Sequence, residues 1–296
     1  MIVDIHTHVS FDGFPEYFRT MKRERFSART LVERMDLEGI DQSVVLPLGN
    51  PENDGLYGVA GNLDSLRAAR RHPDRLIPFC NIDPRGMLND SRADLSQLIR
   101  VFKDMGCRGI GEVCAHLPIT DPRYRNLFRH AGREKMPMIF HFAARTRGTY
   151  GVIDKHHLPG LERALREFPD ATFIGHGPAF WCEIAWDATP EERDGYPNGP
   201  IRKEGRLWRL LREFPNLYGD LSAGSGCNAV TRDPEKGFRF LQEFHAKLFF
   251  GTDRFTSRTE PVPPILPHLK QARQSKAISA DAYEDIMWRN FRRVFG

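Results

Sequence analysis

The stretch that decides the fold is Ile2–His8, whose sequence is IVDIHTH. Its apolar, β-branched residues predict a buried strand over Ile2–Ile5. A doubly wound sheet usually carries a glycine-rich phosphate loop, GxGxxG, directly after its first strand. Here the strand runs into His6-Thr7-His8 instead. This stretch therefore argues against an open nucleotide-binding sheet.

The same alternation of a short apolar run and a helical pattern continues along the chain. The predicted strands are Ile2–Ile5, Ser43–Leu48, Leu76–Ile82, Arg108–Val113, Met138–Phe142, Thr172–Gly175, Leu217–Leu221 and Leu248–Gly251. The predicted helices are Thr30–Glu38, Gly61–His72, Arg92–Met105, Pro122–Lys135, Gly160–Phe168, Gly205–Phe214, Lys236–His245 and Asp281–Phe295. Eight strand–helix units predict an α/β protein, a single (β/α)8 TIM barrel with elongated βα loops. The alternative is an open doubly wound sheet.

The length fits one barrel. A prior of roughly 150 residues per domain suggests two domains for 296 residues, but single α/β barrels often reach this size. Because the eight units use nearly the whole chain, we expect one domain over residues 1–296. Two connections, Val9–Arg29 and Gly177–Glu204, exceed a normal loop and are expected to form the rim of the barrel.

The composition excludes several classes of protein. The apolar runs are far shorter than the ~20 residues of a membrane span, and no signal peptide is evident. Five cysteines without CxxC spacing are typical of reduced thiols, which favours the cytoplasm over a disulfide framework. The net charge of +4, from 43 basic and 39 acidic residues, is small and spread along the chain. We therefore expect neither a membrane nor a nucleic-acid partner.

Ionisable residues stand at the ends of five predicted strands. They are His6 and His8, Glu112, His141, His176 and Asp253. In a (β/α)8 barrel these strand ends meet at one mouth, where buried charges need a cation or each other. Imidazole and carboxylate ligands with an open position suit zinc or another divalent transition metal. The alternative is a buried network of hydrogen bonds between histidine and aspartate.

These motifs resemble the amidohydrolase superfamily. The resemblance lies in the HxH after the first strand, the single histidines after strands five and six, and Gly251-Thr252-Asp253 after the eighth. The closing segment Trp288–Phe295 is similar to the ending of amidohydrolase family 2, the branch that contains aminocarboxymuconate semialdehyde decarboxylase, resorcylate-type decarboxylases and several lactonases. The resemblance implies a metal-dependent enzyme, but the motifs do not specify a substrate.

The resemblance also implies roles for the residues. His6, His8, His141 and Asp253 would hold the metal, and His176 would be a ligand or a catalytic partner. Glu112 departs from the mononuclear decarboxylase pattern and resembles the glutamate that TatD-type hydrolases share between two metals. One metal or two therefore stays open. Zinc is the most expected ion, with manganese, iron and cobalt as alternatives.

Three functions are compatible with this family. The leading hypothesis is a hydrolase of an ester, lactone or amide in a small molecule, in which a metal-activated water attacks and Asp253 transfers its proton. A non-oxidative decarboxylase would use the same ligands. A barrel that has lost turnover and serves as a binding protein is the third possibility. The resemblance also implies a homo-oligomer, by analogy with the family.

Candidate substrate contacts follow the strand ends. Arg145 lies shortly after His141 and Arg254 directly after Asp253, and arginine suits bidentate binding of a carboxylate. A carboxylated substrate is therefore our hypothesis. Trp181, in the long loop after His176, either walls an apolar pocket or packs the loop against the barrel.

The remaining polar residues near the predicted mouth have less specific signals. Asp220, at the end of strand seven, either orients a ligand histidine or caps the following turn. Asp4 is expected one layer deeper than His6, with a structural or supporting role. Tyr150, His156 and His157 lie in the loop after strand five and are left out of the predicted site.

Overall fold

Eight parallel strands form a closed barrel in the described part of the chain. The structure is a computed structural model that describes residues 1–53, 57–257 and 264–296. The barrel strands are β1 (Val3–Thr7), β2 (Gln42–Val45), β3 (Leu76–Pro78), β4 (Ile110–Val113), β5 (Met138–Ala143), β6 (Phe173–His176), β7 (Leu217–Asp220) and β8 (Leu248–Phe249). The predicted (β/α)8 barrel is confirmed.

The strands pair in chain order and the sheet closes on itself. β1 to β3 form one parallel group and β4 to β8 another. A parallel bridge between Cys80 and Ile110 joins β3 to β4. The backbone nitrogen of Ile5 donates to the carbonyl of Phe250 at 3.0 Å, which joins β8 to β1. Because the pairing returns to β1, the alternative of an open doubly wound sheet is wrong. A short strand, Val152–Ile153, extends β5 at the rim.

Helices surround the barrel. They are α1 (Pro15–Thr20), α2 (Ala28–Glu38), α3 (Asn62–Arg71), α4 (Ser96–Asp104), α5 (Pro122–Glu134), α6 (Pro159–Glu167), α7 (Pro178–Trp181), α8 (Arg206–Glu213), α9 (Ala223–Thr231), α10 (Pro234–Phe244), α11 (Ile265–Gln274), α12 (Ala280–Glu284) and α13 (Asn290–Phe295). Each predicted helix is present, although a π-helical turn, Asp285–Arg289, interrupts the last one.

Helix α9 was not predicted from the sequence, because it consists mainly of small residues and shows no apolar stripe. Its packing explains why it forms. Gly237 of α10 lies so close to α9 that a Cβ there would stand 1.9 Å from the carbonyl oxygen of Val230. Small side chains thus allow two helix backbones to approach each other, a tertiary effect that helical periodicity does not report.

The barrel axis is filled with apolar side chains below the mouth. Val3, Ile5, Val44, Leu46, Phe79, Ile139, Ile174 and Phe249 form one buried cluster with Phe291 and Phe295 of α13. Phe295 contacts the rings of Phe79 and Phe249 at 5.2 and 5.7 Å and closes the amino-terminal end of the barrel. The carboxyl end is the part of the axis where polar side chains collect.

The two long rim connections contain short helices. Val9–Arg29 includes α1 and the start of α2, and Gly177–Glu204 includes α7 and two 3-10 turns, Cys182–Ile184 and Glu192–Asp194. Among the described residues, no helix combines the length and the hydropathy that a membrane span requires.

Candidate metal centre

The six ionisable residues named from the sequence meet at the carboxyl ends of the strands. They are His6 in β1, His8 just after it, Glu112 in β4, His141 in β5, His176 at the end of β6 and Asp253 after β8. His6, His8, Glu112 and His176 are buried, whereas His141 and Asp253 are partly exposed. Solvent therefore reaches the cluster on the side of His141 and Asp253.

Four donor atoms form a first group. His6 Nε2 and His8 Nε2 are 3.2 Å apart. Glu112 Oε2 is 3.6 Å from each of these nitrogens. Asp253 Oδ1 is 3.5 Å from His6 Nε2 and 3.3 Å from His8 Nε2. Ligands about 2.1 Å from a tetrahedral ion stand about 3.4 Å from one another, so these five distances fit a divalent metal.

The hydrogen bonds of the two histidines explain why their Nε2 atoms face each other. His8 Nδ1 lies 2.8 Å from the carbonyl oxygen of Leu46, which only accepts, so Nδ1 carries the proton. His6 Nδ1 lies 2.6 Å from Asp220 Oδ2 and donates to that carboxylate. In the neutral rings, both Nε2 atoms then present lone pairs across 3.2 Å. Such lone pairs repel unless a cation lies close to both.

Glu112 and the histidines of β5 and β6 form a second group. Glu112 Oε1 is 2.8 Å from His141 Nδ1 and 3.6 Å from His176 Nε2. His176 Nδ1 faces Ser222 Oγ at 3.0 Å and Asp220 Oδ2 at 3.3 Å, which leaves Nε2 for the side of Glu112. The two groups thus share one carboxylate, with a different oxygen toward each.

Asp220 supports both groups from below. Its Oδ2 contacts His6 and His176, and its Oδ1 accepts the backbone N–H of Ser222 at 2.9 Å. Burial raises the pKa of this carboxyl, but the charges and hydrogen bonds of the two histidines outweigh burial and hold it well below its ordinary value. Asp220 therefore does both things that the sequence left open: it orients the histidines and it caps the turn.

The electrostatics of the group favour a cation. Burial lowers the pKa of His6, but the negative charges of Asp220, Asp253 and Glu112 outweigh burial and raise it well above its ordinary value. Burial raises the pKa of Glu112 and Asp253, yet the charge of His6 brings both below their ordinary values. The carboxylates stay ionised, and a positive charge, as a proton or a metal ion, stabilises them.

The backbone holds Asp253 at the mouth. Its φ of 57° is left-handed, a conformation that aspartate adopts more readily than most residues. Its N–H donates to the carbonyl of His6 at 2.8 Å. Asp4 joins the same two segments, because it accepts Thr252 Oγ1 at 2.6 Å and the backbone N–H of His6 at 3.0 Å. Burial raises the pKa of Asp4 to about 7.

The three residues predicted to contact substrate lie elsewhere. Arg145 is exposed and forms an ion pair with Asp194 of the long rim loop. Arg254 is buried and directs its guanidinium to Glu38 of α2. Trp181 is buried, and its indole N–H donates to the carbonyl of Asp220 at 2.8 Å, so it packs the loop against the barrel. The closeness of these residues in sequence to the candidate ligands therefore did not predict where their side chains point.

Tyr150 also lies at the mouth, although no role was predicted for it from the sequence. Its ring lies 4.7 Å from the ring of His141 and 5.9 Å from that of Tyr57, centroid to centroid. Tyr150 follows His141 by nine positions in an irregular loop, so no periodic signal places it here.

A third group of possible ligands lies outside the mouth. It consists of His156, His157 and Glu183. Glu183 is buried, accepts the N–H of His157 at 2.7 Å and lies 3.2 Å from Arg193 Nε. Because Arg193 already balances its charge, this group suits a structural anchor of the rim loop better than a metal site.

Comparisons with known proteins identify relatives by structure only. No protein-family model and no curated protein matches the chain. An uncharacterized TIM-barrel protein from Bordetella bronchiseptica matches with a TM-score of 0.59 at 16% identity, over 99% of this chain and 98% of that one. An amidohydrolase from Burkholderia multivorans with bound HEPES matches with a TM-score of 0.62 at 12% identity, over 100% and 99%. A 2,6-dihydroxybenzoate decarboxylase complexed with 2,6-dihydroxybenzoate matches with a TM-score of 0.57 at 15% identity, over 99% and 98%.

At such low identity the likeness is one of fold. Structures described as an amidohydrolase and as a decarboxylase both occur among the matches. The chain thus has the full-length TIM-barrel fold of these solved proteins, the fold that the resemblance to the amidohydrolase superfamily predicts.

Proposed function

We propose that the chain is a metal-dependent hydrolase of the amidohydrolase superfamily and binds two divalent ions, one on each side of Glu112. One observation carries the proposal. Glu112 Oε2 faces His6 and His8 in the group that also contains Asp253, and Glu112 Oε1 faces His141 and His176. If two ions bind, one oxygen of Glu112 would therefore complete each set of ligands.

The donor set fits zinc best. Four imidazoles and two carboxylates are borderline ligands that bind zinc and other first-row ions, so manganese, iron and cobalt stay as alternatives. When bound, such ions lower the pKa of a coordinated water toward about 7 and polarise a carbonyl group.

Asp253, His176 and Asp220 have different proposed roles in the reaction. Asp253 is at the solvent-open side of the group, with 32% of its side chain exposed. It accepts the proton that the attacking water loses and passes it to the leaving oxygen or nitrogen. His176 acts as a ligand, because Nδ1 faces Ser222 and Asp220 and only Nε2 points to the group. Asp220 fixes the rings of His6 and His176 in this orientation.

Hydrolysis is favoured over decarboxylation. Both reactions would use the same histidines, but the decarboxylase pattern that the resemblance supplies holds one ion and lacks the shared glutamate. Arg145 and Arg254 are engaged by Asp194 and Glu38, so the hypothesis of a carboxylated substrate loses the residues on which it was based. We propose an ester, lactone or amide in a small molecule. A cytoplasmic location and a homo-oligomer stay predictions.

The test combines metal analysis with a substrate screen. Protein purified in zinc-supplemented buffer and then dialysed should hold about two ions per chain and should hydrolyse some esters, lactones or amides. The same preparations are incubated with aromatic carboxylic acids while carbon dioxide is measured. Release of carbon dioxide without hydrolysis would replace the proposal by a decarboxylase, and a chain that binds fewer than one ion would argue for a barrel without this chemistry.

A further inference from the structure

Tyr150 lies at the point where the candidate centre opens to solvent. Its ring rests on the ring of His141 at 4.7 Å with an interplanar angle of 43°. His141 is one of the two candidate ligands that solvent reaches. A substrate that approaches the centre past His141 therefore also meets Tyr150.

The position of Tyr150 is fixed by the glycine that follows it. Gly151 has a φ of 109°, and a Cβ there would stand 2.6 Å from the carbonyl oxygen of His141. The N–H of Gly151 donates to the carbonyl of Cys114 at 2.9 Å, and its carbonyl faces His116 Nδ1 at 2.9 Å. Only glycine fits this close approach, and the hydrogen bonds hold the loop to the ends of β4 and β5.

The phenol of Tyr150 is an unused donor. Within the described residues, its hydroxyl makes no hydrogen bond, and the side chain is partly exposed. A phenol is ordinarily protonated at neutral pH, so this hydroxyl is available as a donor. Because the side chain is partly exposed, water or a substrate oxygen can accept from this hydroxyl.

We propose that Tyr150 is a catalytic residue that donates a hydrogen bond to the substrate oxygen on which negative charge develops. This inference rests on the proposed hydrolase function. The water oxygen bonds to the carbonyl carbon, and the π electrons of that carbonyl move onto its oxygen. The Tyr150 hydroxyl stabilises this oxyanion and keeps its own proton. The carbonyl then re-forms, the bond to the leaving group breaks, and the leaving group takes the proton that Asp253 accepted from the water.

The test compares Tyr150→Phe with a matched control, Tyr283→Phe, on α12 at the other end of the described chain. Phenylalanine preserves the ring that packs on His141 and removes only the hydroxyl, so the fold and the two bound ions should be retained. Loss of one oxyanion donor lowers kcat about 100-fold in comparable enzymes. We expect a loss of that size with KM changed less than about threefold, and no change in Tyr283→Phe. A Tyr150→Phe enzyme within threefold of the original kcat would overturn the proposal.

A binding measurement separates this proposal from the proposed function. If the unaltered protein hydrolyses no ester, lactone or amide, the proposed function fails, and Tyr150 is then tested with an aryl methylphosphonate, a stable mimic of the tetrahedral state. Calorimetry should show at least tenfold weaker binding to Tyr150→Phe than to the original protein. Equal binding by the two proteins, or binding by neither, would overturn the role of Tyr150.

Discussion

Replacement of Glu112 by glutamine tests how the two groups of ligands depend on each other. The amide has nearly the shape of the carboxylate but no charge, and it no longer supplies two equivalent oxygens. The first group would keep His6, His8 and Asp253, three ligands with one negative charge. The second group would keep only His141 and His176, both neutral. The change should therefore affect the second ion more than the first.

The expected size follows from these ligand sets. Loss of a residue that merely supports a ligand lowers metal affinity about 10- to 100-fold, so loss of a charged ligand should cost the second site at least about 100-fold. This corresponds to about 2.8 kcal/mol of binding free energy. After dialysis, Glu112→Gln should hold about one ion per chain in place of two, and kcat should fall by at least about 100-fold.

Elemental analysis of dialysed protein, together with turnover of the best ester or lactone, measures both effects. Glu183→Gln is the matched control, because Glu183 is also buried beside histidines but already pairs with Arg193. It should keep two ions. If Glu112→Gln retained two ions and turned over within threefold of the original rate, the shared carboxylate would have no role and the reasoning would be refuted.

Four further changes test other parts of the structure. Asp253→Asn should leave most of the metal bound but lower kcat about 1000-fold, since the proton acceptor is lost; full turnover would contradict that role. Asp220→Asn should weaken metal binding about 10- to 100-fold in equilibrium titrations, because two histidines lose their orienting partner; unchanged affinity would exclude this support. The pKa of His6 is raised, so the metal-free protein holds a proton on His6 that a binding metal ion must displace. Calorimetry should therefore show metal affinity falling about tenfold for each pH unit of acidification; an affinity independent of pH would contradict this. Gly151→Ala should lower the free energy of unfolding by at least about 2 kcal/mol and reduce kcat. Gly148→Ala, also at positive φ but with open space around it, should lower that free energy by about 1 kcal/mol. Equal losses of unfolding free energy in denaturant would argue against the close contact at Gly151.

The sequence was most informative where a signal is local. A short apolar run followed by a histidine or carboxylate marks the end of a barrel strand, and the closed barrel brings such ends together whatever their separation along the chain. This is why residues as distant as His6 and Asp253 could be expected at one mouth, and why the structure places them 3.5 Å apart. The resemblance implied that Glu112 could be shared between two metals, but the direction of each carboxylate oxygen could not be predicted from the sequence.

The sequence was least informative about loops. Arg145 pairs with Asp194 and Arg254 with Glu38, partners 49 and 216 positions away, so adjacency to a candidate ligand did not predict where the guanidinium points. Tyr150 reaches His141 through a loop whose path depends on close packing at Gly151. Helix α9 forms against α10 from small residues that carry no apolar pattern. In each of these cases tertiary contacts decide the outcome.

The central claim is that Glu112 bridges two divalent ions. A crystal structure of the zinc-loaded protein, with anomalous differences recorded at the zinc absorption edge, tests it most directly. We predict two peaks about 3.5–4 Å apart, one bounded by His6, His8 and Asp253 and the other by His141 and His176, with one oxygen of Glu112 directed to each. A single peak, or two peaks without Glu112 between them, would contradict the account.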